Sequence, residues 1–207
     1  MANPSLTVIA EGGDGDMYGE GGNHFLHTIR RNINITHIVH NNMVYGLTKG
    51  QASPTSQPGM KTGVQVNGVV NEPFNPLAVA ISLGAGFVAR AYSGEGEQTK
   101  ELIQMAINHK GYALVDILHP CVSFNQTNTV KWYEENTCTI EAHDETNCSK
   151  AWEMAMKPGK LGLGVYYKKE GSKTFTDSLH CYQKDTSPLY KRKREQKKLT
   201  ELIHSRI

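Results

Sequence analysis

Residues 6–10 form a short apolar run, interrupted only by Thr7, that leads into a turn rich in Gly and Asp. That pattern predicts a buried strand ending at Glu11 or Gly12. Within residues 21–32, apolar positions fall at 25, 26 and 29, and the segment closes on Arg30, Arg31 and Asn32. It predicts a helix whose C-terminal cations suit the helix dipole. Residues 33–40 are rich in β-branched side chains and predict a second strand. Strand, helix and strand within about 35 residues make one βαβ unit, with parallel strands and a right-handed crossover.

Residues 41–76 break the pattern. They are rich in Gly, Pro, Ser, Thr and Asn, and a loop of that length inside a domain is usually functional or disordered. Beyond it the alternation resumes: helix at 76–83, strand at 87–92, helix at 97–109, strand at 113–118. Residues 119–157 carry little periodicity apart from a helix at 148–156, and 161–167 read as a last strand. The tail from Leu189 reads as an exposed helix with Leu199, Leu202 and Ile203 on one side. There is no internal repeat. The expected class is α/β, a doubly wound, mostly parallel sheet. The expected organisation is one α/β domain over 1–188 and a basic helical tail over 189–207.

Composition narrows the class of function. The chain has 207 residues, is 38% hydrophobic and holds 20 glycines, an ordinary globular composition with enough length for a real core. No run reaches the roughly 18 apolar residues of a membrane span, and the N-terminal residues have no secretory pattern. Four cysteines are too few for a disulfide scaffold, so the expected compartment is the cytoplasm. The net charge of +2 hides an asymmetry. Residues 191–207 hold seven Lys or Arg against Glu195 and Glu201, while the rest of the chain is mildly acidic. An acidic body with a basic tail is not a nucleic-acid binder. The tail reads as a solvated face, or as a docking element for a partner subunit or an acidic ferredoxin.

The chemistry concentrates at two strand ends. The first strand runs into Gly12-Gly13-Asp14-Gly15-Asp16, the second into Asn41-Asn42. Neighbouring parallel strands joined by one crossover put both ends on the sheet edge where doubly wound folds bind ligands. Glycines ahead of a helix form a phosphate cradle, yet Asp14, Asp16 and Glu20 would repel a diphosphate unless a cation lies between. Mg2+ takes hard oxygen ligands and shares them with phosphates. Asp14 offers a carboxylate oxygen and Asn42 an amide oxygen. A nicotinamide dinucleotide fits less well, because Gly13-x-Gly15-x-x-Tyr18 lacks the third glycine and the second strand ends in Asn. No Gly-Lys-Ser/Thr occurs, so the phosphate loop of nucleotide hydrolases is absent from the sequence.

Gly-Asp-Gly followed 28 positions after Asp14 by Asn42 resembles the thiamine diphosphate motif. A longer string is more specific. It runs Gly-Asp-Gly-Asp, Gly-Gly-Asn-His-Phe, Arg-Arg-Asn-Ile-Asn-Ile-Thr, Asn-Asn, then Tyr-Gly-Leu-Thr-Lys-Gly-Gln-Ala-Ser-Pro-Thr. This resembles the β subunit of the 2-oxoacid:ferredoxin oxidoreductases, densely over residues 4–60 and more thinly to about 125. The resemblance implies that Asp14, Asn42 and the main-chain carbonyl of Val44 hold Mg2+ on the cofactor's diphosphate. It assigns Gly13, Gly15, Asp16, Gly46, Leu47 and Thr48 to the cofactor site as well. Leu47 would support the bent cofactor, and Lys49 would meet the substrate carboxylate. The implied reaction is oxidative decarboxylation of a 2-oxoacid, pyruvate or 2-oxoglutarate, with coenzyme A, to acyl-CoA, carbon dioxide and reduced ferredoxin. The implied partner is an α or fused αγ subunit that grips the aminopyrimidine.

Members of that family also hold a four-iron, four-sulfur cluster through four cysteines. Cys121, in His119-Pro120-Cys121, matches the fourth, and the first three have no counterpart in this sequence. A missing segment, a separate chain or an absent cluster would each account for that. Two rival readings remain at this stage: a thiamine-dependent decarboxylase or carboligase without clusters, and a non-catalytic cofactor-binding module. Cys138, His143 and Cys148 lack the spacing of a zinc site. His24 and His27 read as packing residues or contacts near the cofactor.

Overall fold

In the computed structural model, residues 3–193 and 195–206 are described. Strand and helix alternate in the order β1 (Ile9–Gly13), a π-helical turn (Gly15–Glu20), α1 (Gly22–Arg30), β2 (Ile35–Asn41), α2 (Pro76–Ser82), β3 (Phe87–Tyr92), α3 (Gly96–Asn108) and β4 (Tyr112–Leu118). Then come α4 (Val130–Asn136), β5 (Thr137–Thr139), α5 (Cys148–Met156) and β6 (Leu161–Lys168). Caps explain several helix starts. The Asn75 side chain accepts from the Ala78 amide at 3.1 Å with Pro76 in the first turn of α2, and Asn147 caps Lys150 at 3.1 Å in α5.

The six strands form one sheet in the order β1-β2-β4-β3-β6-β5. β1 to β4 are parallel; β6 runs antiparallel to β3, and β5 is parallel to β6. This is the expected doubly wound, mostly parallel class, with two reversed strands at one edge. The path from β2 to β3 skips the place of β4, and the path from β3 to β4 turns back. Right-handed crossovers in opposite directions place their helices on opposite faces. On one face Phe25, Ile29, Leu77 and Ile81 pack with Val39, Val88, Tyr112 and Leu114. On the other, Leu102 and Ala106 of α3 pack with Ile38, Ala89, Val115 and Ile117. Every residue of β3 and β4 is buried, as central parallel strands require.

Two expectations need correction. β1 begins at Ile9 rather than at residue 6, and it is not a buried strand: Leu6, Val8 and Ile9 are 59%, 44% and 46% exposed. It lies at the sheet edge and pairs only with β2 among the described residues. The stretch 119–157 holds more structure than its pattern showed, namely α4 and β5. α4 is one short, mainly polar helix capped by Thr129 on the Trp132 amide at 3.2 Å, and β5 has three residues, so neither can display a period. The segment between β2 and α2 is a long loop, as expected. Its apolar cluster of Val44, Met60 and Val69, with Ala52 and Cys121 against it, holds it in place.

These elements lie in the compact unit Thr7–Phe175. A second, smaller unit comprises the described residues before Thr7 and after Phe175. In it Arg192 donates to the main-chain carbonyls of Cys181, Asp185 and Ser187, and its guanidinium lies 5.1 Å over the Tyr182 ring. The tail carries a helix over Gln196–His204 with Leu199, Leu202 and Ile203 exposed; Arg194 lies outside the described residues. Among the described residues, no helix is long and apolar enough to cross a membrane.

Candidate cofactor site

The carboxyl ends of β1 and β2 lie side by side, with Gly13 opposite His40 in the parallel register. Asp14 therefore leaves β1 next to Asn41 and Asn42 leaving β2. A π-helical turn follows Asp14, a local departure often found at functional sites. A Cβ at Gly15 would overlap the Tyr45 ring, so any other residue in that turn would force the ring to move. After β2, Met43 takes a left-handed backbone conformation, φ 60°, which turns the chain sharply between Asn42 and Val44. The turn is held by the Val44 amide donating to Asn42 Oδ1 at 3.1 Å and by Ser56 Oγ donating to the Met43 carbonyl at 2.6 Å.

Asp14 is 1% exposed. Its Oδ2 accepts from Ser53 Oγ and Thr55 Oγ1, each at 2.5 Å. Burial pushes its carboxyl above the ordinary range, the two hydroxyls and the main-chain N–H of Asn42 pull the other way, and Asp116 adds to the rise. No ion pair compensates Asp14 among the described residues. A buried carboxylate with hydrogen bonds and no cation has the chemistry of a metal ligand.

Asp14 opens onto a cleft of about 530 Å³. Gly13, Asp14, Gly15, Asp16, Asn42, Val44, Gly46, Leu47 and Thr48 all line it. Lys49 does not. It is exposed beyond the cleft with φ 71°, beside Gly50 at φ 90° in the same turn. Leu47 is 99% exposed, so its side chain stands free at the mouth. The lining holds the carboxylates of Asp14, Asp16 and Glu20 and no Lys or Arg. An anionic diphosphate can enter such a cleft only with a cation between them. Asp14, Asn42 and Val44 all line this cleft, and a carboxylate, an amide oxygen and a main-chain carbonyl are hard oxygen donors of the kind Mg2+ takes.

Two side chains at the site, Ser53 and Thr55, escaped the sequence reading, and the contact between Tyr45 and Glu20 was not foreseen. Tyr45 and Glu20 line the cleft, and Tyr45 Oη donates to the Gly15 carbonyl and to Glu20 Oε2, both at 3.2 Å. Ser53 and Thr55 hold Asp14 from a loop about 40 residues away. The Ser-Pro-Thr string in that loop was the only signal for them. Cys121 is half-buried against the Val44, Met60 and Val69 cluster, whereas Cys138, Cys148 and Cys181 are exposed; all four are free thiols. Among the described residues no group of three or more His, Cys, Asp or Glu is placed to hold a metal, so Cys138, Cys148 and Cys181 do not gather with Cys121 as a ligand set.

The family model described as the thiamine pyrophosphate enzyme, C-terminal TPP binding domain, matches residues 1–117. The model for the C terminal part of the pyruvate ferredoxin oxidoreductase beta subunit matches residues 121–184. The 2-oxoacid:ferredoxin oxidoreductase subunit beta of Saccharolobus solfataricus is 41% identical over 192 residues, covering 86% of this chain and 63% of that protein. The 2-oxoglutarate synthase subunit KorB of Archaeoglobus fulgidus is 32% identical over 200 residues, covering 95% and 69%. A solved 2-oxoglutarate:ferredoxin oxidoreductase from Magnetococcus marinus, with 2-oxoglutarate, coenzyme A and succinyl-CoA bound, superposes with a TM-score of 0.89 at 35% identity, over 97% of this chain and 69% of that one. The chain spans 60–65% of the length of four archaeal β subunits that it matches. The chain belongs to the family of 2-oxoacid:ferredoxin oxidoreductase β subunits and carries its thiamine diphosphate-binding domain.

Proposed function

We propose that this chain is the thiamine diphosphate- and Mg2+-binding part of a 2-oxoacid:ferredoxin oxidoreductase, which converts a 2-oxoacid and coenzyme A to acyl-CoA, carbon dioxide and reduced ferredoxin. The observation that carries this reading is Asp14: a fully buried, cation-free carboxylate at the ends of parallel strands, beside Asn42 and Val44, at the foot of an acidic cleft. Asp14, Asn42 Oδ1 and the Val44 carbonyl would hold Mg2+ on the diphosphate. Gly13, Gly15 and Asp16 border the same end of the cleft, and Gly46, Leu47 and Thr48 border the loop side. When bound, thiamine diphosphate supplies a nucleophilic thiazolium carbon and an electron sink for decarboxylation.

The chain's own groups then bind, orient and exclude water. Leu47 offers an exposed apolar side chain on which the bent cofactor can rest. Lys49 is assigned to the substrate carboxylate; it stands exposed in the turn from Tyr45 to Gln51, next to the cleft-lining Thr48. The solved relative holds 2-oxoglutarate and coenzyme A, which favours 2-oxoglutarate over pyruvate as the substrate. The site is completed by an α or αγ subunit, and ferredoxin takes the electrons. The iron–sulfur role of Cys121 rests on the family alone, and no step is assigned to it. The proposed compartment is the cytoplasm, supported by four cysteines that are all free.

The test uses the complex purified without oxygen from its own host. Reduction of a viologen dye is followed with 2-oxoglutarate or pyruvate, with and without coenzyme A. Reduction that requires coenzyme A and prefers 2-oxoglutarate supports the proposal. Carbon dioxide with free aldehyde and no dye reduction overturns it in favour of a decarboxylase.

A further inference from the structure

A chain of buried polar contacts runs from the middle of the sheet to Asp14. Asp116 of β4 is 0% exposed and receives three donors. Arg90 of β3, its neighbour in register, gives Nε to Oδ2 at 3.0 Å, while Tyr18 Oη and Asn41 Nδ2 each donate to Oδ1 at 3.0 Å. Burial works against the Arg90 charge, but Asp116 beside it raises the guanidinium above its ordinary value.

An ionised carboxylate only accepts, so Asn41 must turn its NH2 toward Asp116. Its carbonyl oxygen then faces Thr55 Oγ1, 2.8 Å away. The same hydroxyl lies 2.5 Å from Asp14 Oδ2. The single Thr55 hydroxyl proton is therefore shared between the Asn41 carbonyl oxygen and Asp14 Oδ2, and Thr55, together with Ser53 on the same oxygen, fixes the rotation of the Asp14 carboxylate. If the Asn41 amide were reversed, two oxygens would face each other at Asp116, and Thr55 Oγ1 would accept from Asn41 and donate only to Asp14.

We infer that Asp116, held by Arg90 and Tyr18, is a positioning residue for the Mg2+–diphosphate site, acting through the Asn41 amide and the Thr55 hydroxyl on Asp14. This rests on the proposed cofactor site. Partners of metal ligands in other sites change metal affinity by about 10–100-fold when removed. The same range is expected here, without any contact between Asp116 and the metal.

The experiment measures binding rather than turnover. The purified complex, stripped of cofactor, is titrated by calorimetry with thiamine diphosphate at a series of Mg2+ concentrations. Asp116→Asn is expected to weaken the Mg2+ dependence about tenfold or more. Thr55→Val removes the relaying hydroxyl at constant shape and is expected to do the same, with Thr55→Ser restoring the parent value. The double variant is expected to lose no more than Thr55→Val alone, because both changes break one chain of contacts. Losses that multiply, or an unchanged Mg2+ dependence in Asp116→Asn, overturn the inference. Should Asp116→Asn fail to fold, Asn41→Ala breaks the same chain one link nearer the site and replaces it in the cycle. Asp14→Ala separates the two levels: if it leaves Mg2+-dependent binding intact, the site itself is misassigned. If it abolishes binding while Asp116→Asn is silent, only the positioning role fails.

Discussion

His37 gives the fold a pH dependence that can be worked out in advance. The ring is 7% exposed, with Nδ1 2.7 Å from Tyr112 Oη and Phe25 at 5.8 Å between centroids, and its buried Nε2 has no partner. Burial pushes its pKa from 6.5 down to about 4, with Asp16 opposing the fall. The folded value lies below the unfolded one, so the unfolded chain takes up the proton first as the pH falls. The stability from neutral His37 is complete above pH 6.5 and is lost progressively toward pH 4. Each tenfold change in proton affinity corresponds to about 1.36 kcal/mol, so the full loss is about 3 kcal/mol, and roughly 2 kcal/mol of it is gone by pH 5. Urea unfolding of the parent chain and of His37→Gln, at half-unit steps from pH 7.5 to 4.5, measures it. The variant loses the contact with Tyr112 at every pH, and the difference between the two proteins is expected to shrink by about 2 kcal/mol between pH 7.5 and 5. Parallel stability curves across that range would mean that burial of neutral His37 is not the source of the pH dependence.

Asp14 titrates in the opposite sense. Its folded pKa is raised, so the metal-free chain loses stability as the pH climbs from the unfolded value near 3.8 through the folded one, and Asp14→Asn lacks that loss. Thermal melts with and without chelator at several pH values show it. Leu77→Ala, at a site 0% exposed, is expected to cost about 2–5 kcal/mol, while Leu199→Ala, 42% exposed on the tail helix, stays within about 0.5 kcal/mol in denaturant titrations. Asn125 donates to the Asn42 carbonyl at 3.0 Å, and Asn125→Ala leaves that carbonyl without its partner. A loss of about 1–3 kcal/mol in unfolding free energy is expected, together with weaker thiamine diphosphate binding by calorimetry.

Much of the candidate site was legible in the sequence, because the residues proposed to hold the metal are local to strand ends. Asp14 and Asn42 each directly follow a strand, and one βαβ crossover puts two such ends together. α2 and α5 were legible as helices over 76–83 and 148–156, and the Asn75 and Asn147 side chains seen in the structure account for their starts. What stayed hidden is nonlocal. Ser53 and Thr55 reach Asp14 across about 40 residues of aperiodic loop, whose fold depends on the Val44, Met60 and Val69 cluster. The Arg90–Asp116 pair did leave a signal. Each strand, Phe-Val-Ala-Arg-Ala-Tyr and Tyr-Ala-Leu-Val-Asp-Ile-Leu, carries one charge in an otherwise apolar run. Two opposite lone charges in buried neighbouring strands have to meet, since neither survives burial alone. β1 misled because an apolar run of five cannot say whether its strand is central or at an edge.

The functional reading stands on Asp14, Asn42 and Val44 holding the metal of a thiamine diphosphate site. Crystals of the complex soaked in thiamine diphosphate and Mn2+, with the anomalous signal of the metal recorded, test that coordination atom by atom. The expected outcome is one peak at roughly 2.1–2.2 Å from an Asp14 carboxylate oxygen, Asn42 Oδ1 and the Val44 carbonyl, with the diphosphate beside it. A metal bound to the cofactor elsewhere, with the Asp14 carboxylate still held only by Ser53 and Thr55, would be incompatible with the assignment.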